Sequence, residues 1–237
     1  MSKNLYLEKV GKNAKTAAKE LPFLKIKKRN DVLKLYSIYL KKFSNLILKK
    51  NRIDIANAKK SKTSVINRLE LNIEKITQIR NSIKKIIKFS DPLEKKLALF
   101  KRPNGLIIKK VSTPIGVIGI IYESRPNVTS DVASLCFKSG NAIILRGGSE
   151  AHNSNIILAN LFRDALKLNN IDKNYVQIIK DKNRKSVDYM LSKMEKFIDV
   201  IIPRGGKNLV KKVQELSSVP IIGHLEGICH TYIDKDA

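Results

Sequence analysis

Two stretches place an arginine and a pair of glycines directly after a short apolar run: Leu145-Arg146-Gly147-Gly148 and Pro203-Arg204-Gly205-Gly206. Glycine lets the backbone approach a bound group closely, and the free N–H groups that open a helix attract phosphate. Arginine adds a planar fork matched to phosphate oxygens. A single such turn is equally well read as an ordinary tight strand-to-helix connection. Two at equivalent places favour a ligand carrying more than one phosphate, such as a dinucleotide. Neither stretch fits G-x-G-x-x-G or G-x-x-x-x-G-K-[ST], and Gly116-Val117-Ile118-Gly119 lies inside an apolar run and matches neither. Pattern alone therefore stops at a nucleotide-like phosphate binder.

A second group of polar residues, Glu123, Ser124, Arg125 and Asn127, follows the apolar run Ile115 to Ile121. It could orient a carbonyl or a phosphate, or it could be a helix cap and turn around Pro126. Near the end, His224, Glu226 and His230 surround Cys229, which raises a cysteine–histidine nucleophile. Alternation along a strand starting at Ile228 would turn His230 away from Cys229, so a packed thiol is the favoured reading. Cys136, within VASLCFK, reads as a small core residue.

These residues need elements to hold them. Residues 4–20 have the spacing of an amphipathic helix stopped at Pro22, and Asn30 and Asp31 can cap a second helix that includes Leu46. After a short break, residues 53–60 continue helically, and one long helix is predicted from Ser64 to Phe89, ended by Asp91-Pro92. Arg102-Pro103-Asn104-Gly105 is a turn, followed by a strand and a break at Pro114. From there, strands near 116–122, 141–146, 175–179, 197–202 and 219–222 alternate with helices near 127–139, 150–168, 184–193 and 206–216. A last short strand is expected over 228–233. Such alternation predicts an α/β fold: a Rossmann-like, mostly parallel sheet with helices on both faces, preceded by a helical layer.

Composition narrows the partners. The 237 residues include 47 Lys+Arg against 21 Asp+Glu, a net charge of +26, which raises nucleic-acid binding. The excess is mostly lysine scattered along helices, aromatics are 6% and Trp is absent, so a solvated, lysine-rich surface is the favoured reading over a nucleic-acid module. No apolar run is long enough for a membrane span, and the first residues lack the apolar core of a secretory signal. Two cysteines without metal or disulfide spacing fit a reducing cytoplasm.

Three long stretches, PIGVIGIIYESRPNVTSDVASLCFKSGNAIILRGGSEAHNSN, IDVIIPRGG and VPIIGHLEGICHTYID, closely resemble the gamma-glutamyl phosphate reductases. These glutamate-5-semialdehyde dehydrogenases of proline biosynthesis lie within the aldehyde dehydrogenase superfamily. The likeness extends upstream through RIDIANAK, FSDPLEKK and RPNGLIIKKVSTPIG, and YESRPNVT with ILRGGSE is its most specific part. The resemblance implies NADPH-dependent reduction of L-glutamyl 5-phosphate to L-glutamate 5-semialdehyde, through a cysteine thioester. It implies an oxyanion contact for Ser124, with Arg125, Pro126 and Asn127 shaping that corner. Arg146, Gly147, Gly148, Ser149 and Glu150 would approach the adenosine ribose and its phosphate, and Arg204, Gly205 and Gly206 the cofactor's other phosphates. His224 falls near the superfamily's general-base glutamate, but too loosely to assign a base. A homo-oligomer and an association with glutamate 5-kinase are also implied; a metal is not.

The same resemblance puts the nucleophilic cysteine downstream of Ala237, so neither Cys136 nor Cys229 would fill that role and turnover by these 237 residues alone is not expected. The expected division is a helical part of the cofactor domain over 1–105, a βαβ NADPH-binding core over 106–223, and the start of a catalytic domain over 224–237. The alternative is a stand-alone nucleotide-binding domain without catalysis.

Overall fold

The computed structural model describes residues 3–58, 63–223 and 230–236. Its first part is helical: α1 (Lys3–Glu20), α2 (Ile26–Lys42), α3 (Ser44–Asn57), α4 (Thr63–Leu69) and α5 (Ile73–Lys88). Pro22 sits in a single 3-10 turn that ends α1, as its missing N–H requires. α2 and α3 meet at Phe43, so the break falls earlier than the sequence suggests. The helix expected from Ser64 to Phe89 is two helices. Asn51 of α3 explains the interruption: its amide donates to Leu69 O at 2.9 Å, and its carbonyl accepts from Leu71 N–H at 2.8 Å. Those bonds draw the backbone out of the helix, and Asn72 restarts it by capping Lys75 N–H at 2.7 Å.

β1 (Lys96–Lys101) and β2 (Ile107–Val111) form an antiparallel ribbon about the Arg102–Gly105 turn, separate from the main sheet. β1 was not anticipated, because its residues are solvent-facing on both sides and leave no alternating apolar signal.

The main sheet contains β3 (Val117–Tyr122), β4 (Ala142–Gly147), β5 (Val176–Ile178) and β6 (Val200–Arg204) in the order β5-β4-β3-β6, all parallel. The helices between them are α6 (Pro126–Lys138), α7 (His152–Leu168) and α8 (Lys185–Lys193), with α9 (Lys207–Leu216) after β6. Right-handed crossovers that move from β3 to β5 put α6 and α7 on one face; the return to β6 puts α8 on the other. α2 and α5 cover α6 and α7 as an outer layer, while α1 lies along β4 beside α8. One buried cluster runs from Leu7 through the sheet to Val219, so the N-terminal helices share the core of the sheet. The strand expected at 219–222 is reduced to one bridge, Ile201 to Ile221, where Pro220 has no N–H to give. Residues 230–233 are not in a strand, and 228 and 229 lie outside the described residues.

Gly116 opens β3 at φ +125°, and a Cβ there would stand 2.2 Å from Asp199 Oδ2. That carboxylate accepts from Val117 N–H at 2.7 Å and pairs with Lys15 at 2.6 Å. Gly116→Ala is therefore expected to destabilise the fold by about 2 kcal/mol, read as a lowered urea midpoint. An unchanged midpoint would refute that role.

Candidate functional site

The chain runs from β3 outward to β5 and then returns past β3 to β6. The C-terminal edge between β3 and β6 is thus the point where the strand order reverses, the place where open α/β sheets bind ligands. Glu123, Ser124 and Arg125 leave β3 there, and Arg204, Gly205 and Gly206 leave β6. Glu123 N–H donates to Arg204 O at 3.2 Å across the gap. The turn after β4 approaches from the other side, where a Cβ on Gly148 would stand 3.2 Å from Ser124 N. The predicted residues are therefore brought to one edge. Arg125 sits at the N-cap of α6 with Pro126 buried behind it, and Ser149 and Glu150 form a 3-10 turn leading into α7.

A cleft of about 440 Å³ opens beside β4, lined by Tyr122, Glu123, Arg146, Glu150, Lys182 and Arg184 among others. A smaller hollow of about 150 Å³ lies between Arg68, Glu123, Arg125 and the Arg204–Gly206 turn. Arg68 comes from α4, in the helical layer that precedes the sheet.

Arg146 does not extend its guanidinium to an open anion site. It is 6% exposed, and it donates to Gly147 O at 2.6 Å, Lys182 O at 3.0 Å and Asn183 O at 3.4 Å. Burial draws its pKa down, and the carboxylates of Asp181 and Glu150 work against that shift. Its bonds hold the loop after β5 in place, and that loop presents Lys182 and Arg184, both exposed and without a salt bridge among the described residues. The cations left for a ligand are thus one loop away from the arginine that the sequence singled out.

Both helix N-termini expected to take phosphate already hold a carboxylate. At α7, Asp54 of α3 is 2% exposed and accepts from Asn153 N–H (3.0 Å) and side chain (2.8 Å), and from Ser154 N–H and Oγ (both 2.7 Å). That end is closed. At α9, Gly206 N–H donates to Glu123 Oε2 at 2.9 Å, and a Cβ on Gly205 would stand 2.7 Å from the same oxygen. Glu123 is exposed and can swing aside, which leaves α9 as the helix end open to an anion. Glu123→Ala is expected to tighten pyrophosphate binding roughly fivefold or more in calorimetry, since it removes a like charge at close range. Equal affinity would place the anion elsewhere.

Gly147 is fixed by packing. A Cβ would lie 2.1 Å from Asn155 Nδ2 and 3.0 Å from Tyr122 Oη. Those two side chains meet through Thr129, which contacts Tyr122 Oη at 2.7 Å and donates to Asn155 Oδ1 at 3.0 Å.

His224, Glu226 and Cys229 lie outside the described residues, and His230 is exposed. Cys136 is buried in α6, with burial pushing its thiol pKa up to about 12, so it is an inert core residue as expected. No cluster of metal-ligating side chains occurs among the described residues, and no helix among them is long and apolar enough to cross a membrane.

Comparison with known proteins gives this edge its context. The aldehyde dehydrogenase family model matches residues 3–237. The chain belongs to the aldehyde dehydrogenase family. It is 46% identical over 228 residues to a gamma-glutamyl phosphate reductase of Nitratiruptor sp., covering 95% of this chain and 55% of that protein. The crystal structure of the Thermotoga maritima gamma-glutamyl phosphate reductase superposes with a TM-score of 0.88 at 36% identity, covering 91% of this chain and 52% of that one. The Saccharomyces cerevisiae reductase gives 0.86 at 31%, covering 97% and 58%. The chain therefore spans about half the length of the relatives it matches. Members of the family use nicotinamide cofactors. The residues at the sheet edge fit such a group: among the described residues, Gly206 faces open space apart from Glu123, Lys182 and Arg184 make no salt bridge, and Arg146 Nε is buried without a partner.

Proposed function

We propose that this chain carries the nucleotide-binding fold of an NADPH-dependent gamma-glutamyl phosphate reductase, which forms L-glutamate 5-semialdehyde and phosphate for proline biosynthesis. The observation that carries this reading is the 46% identity sustained over 95% of the chain. The bound nicotinamide supplies the hydride. This chain's residues do the holding. The α9 N-terminus at Gly206, with Arg204 beside it, receives the cofactor's shared phosphates once Glu123 has swung aside. Ser149 and Glu150 serve the adenosine ribose. Lys182 and Arg184 hold the additional phosphate that separates NADPH from NADH, and Arg146 positions their loop through the Lys182 and Asn183 carbonyls. Ser124, beside that turn, donates to the oxyanion as the acyl carbonyl is attacked.

The substrate is an acyl phosphate, which water destroys, so association with the kinase that makes it is part of the proposal, as are a cytoplasmic location and a homo-oligomer. A second reading is nucleotide binding without turnover: Cys136, the thiol among the described residues, is buried in α6 and not placed to act as a nucleophile. Joining these 237 residues to the remaining segment of the Nitratiruptor relative separates the two. The reductase reading expects phosphate-dependent reduction of NADP by glutamate semialdehyde. A folded, inactive hybrid would contradict it.

A further inference from the structure

A third cavity, about 390 Å³, lies between the α4–α5 corner and α6, lined by Arg68, Lys75, Gln78, Arg125, Asn127 and Asp131 among others. Asp131 is its unusual member. Its Oδ2 accepts from Asn127 Nδ2 at 3.1 Å, but its Oδ1 is buried with no hydrogen-bond partner. No cation pairs with it among the described residues. A buried, unpartnered carboxylate oxygen is costly, which invites a donor that the protein itself does not provide. Burial pushes its pKa up, with the Asn127 bond opposing the shift.

The cations of the cavity are not equivalent. Lys75 is spent on Asn67 O at 3.2 Å and Glu70 O at 2.7 Å. Arg68 gives only Nε, to Ser64 O at 2.9 Å, leaving its terminal nitrogens without partners among the described residues. The Arg125 side chain has no hydrogen bond or salt bridge among them, its backbone carbonyl accepting from Val128 N–H at 3.1 Å. One cleft thus offers an unpaired carboxylate oxygen, the free guanidinium of Arg125 and the terminal nitrogens of Arg68. That pattern complements a zwitterion.

We propose that this cleft binds the head group of an α-amino acid, with the Asp131 carboxylate turning Oδ1 out of its buried position to receive the α-ammonium and Arg68 and Arg125 taking the α-carboxylate. Arg68 and Arg125 also line the smaller hollow at Gly205 and Gly206, so the cleft and the sheet edge are neighbours across these two side chains. An amino acid held this way has its side chain free to extend toward the hollow beside Glu123. The inference rests on the reductase reading, for which it supplies the recognition of the glutamyl head.

The test is a ¹⁵N NMR titration of the 237-residue protein with L-glutamate and with glutarate, which has both carboxylates but no ammonium. L-glutamate should bind about tenfold tighter than glutarate, shifting the Asn127 and Gln78 side-chain amides. Asp131→Asn should erase that difference and leave glutarate and NADPH binding unchanged. The wild-type comparison needs no variant, so it decides the matter even if Asp131→Asn folds poorly. Equal affinity for the two ligands, or no saturable shift with L-glutamate, overturns the proposal. NADPH binding without glutamate discrimination sinks the head-group site and spares the reductase reading. Glutamate discrimination without NADPH binding supports the site and sinks the cofactor part of that reading.

Discussion

Arg29→Ala is expected to destabilise the protein by about 3 to 5 kcal/mol, the scale seen when one partner is removed from a buried ionic group. Arg29 is 1% exposed in α2, and its whole guanidinium is used. Nε donates to Leu24 O at 3.0 Å, Nη2 pairs with Asp91 at 2.6 Å, and Nη1 donates to Lys138 O at the end of α6. Alanine leaves two carbonyls and a carboxylate without that donor and opens a cavity inside the outer helical layer. Domains of this kind have total stabilities of about 5 to 15 kcal/mol, so the loss is a large share of what there is. Urea unfolding followed by circular dichroism should show the midpoint falling steeply. Arg29→Lys should recover only part, because an ammonium cannot serve three acceptors in the fork geometry. A loss below about 1 kcal/mol for alanine would mean that the network is decorative.

Asp54→Ala should cost about 3 kcal/mol, for a different reason. Its carboxylate satisfies four donors at the start of α7, where the helix dipole also favours negative charge. Asp54 works beside Asn51, which bonds Ser154 Oγ at 3.0 Å and fixes the backbone on either side of Glu70 through Leu69 and Leu71. Asp54→Asn keeps the shape but turns an amide toward donors, so it should recover little. Native-state hydrogen exchange would show the effect where it belongs, as faster exchange in the first turn of α7. Unchanged protection there would contradict the capping role.

The β3–α6–β4–α7–β5 succession was legible because each buried parallel strand is a short apolar run, bounded by turn residues and followed by a helix-period segment. The edge of the sheet was legible for the same reason: Arg146 and Arg204 lie at the C-terminal ends of their strands, and those ends of parallel strands form the ligand edge. What those arginines do there was not. Arg146 turns back onto the carbonyls of Lys182 and Asn183, a contact 36 residues away in the chain that no local spacing encodes. Asking which polar residues follow the next strand, Val176–Ile178, would have found Lys182 and Arg184. Glu123 at Gly206 and Asp54 at α7 were hidden likewise, since both are bonds across 83 and about 100 positions. The split of the helix at Glu70–Asn72 depends on Asn51, while the apolar spacing through Leu69, Ile73 and Ile76 runs on undisturbed. Local period shows which face is buried; tertiary bonds decide where the element stops.

The sheet edge of this chain is proposed to hold NADPH, with Lys182 and Arg184 reading its extra phosphate. Fluorescence titration of the 237-residue protein with NADPH and NADH tests it most directly. NADPH should bind at least tenfold tighter than NADH, a difference of about 1.4 kcal/mol. Lys182→Ala with Arg184→Ala should remove the difference while NADH affinity stays as it was, and Arg146→Ala should weaken the preference by releasing the loop. Equal affinity of the unmodified protein for the two nucleotides, or no binding of either, would contradict it.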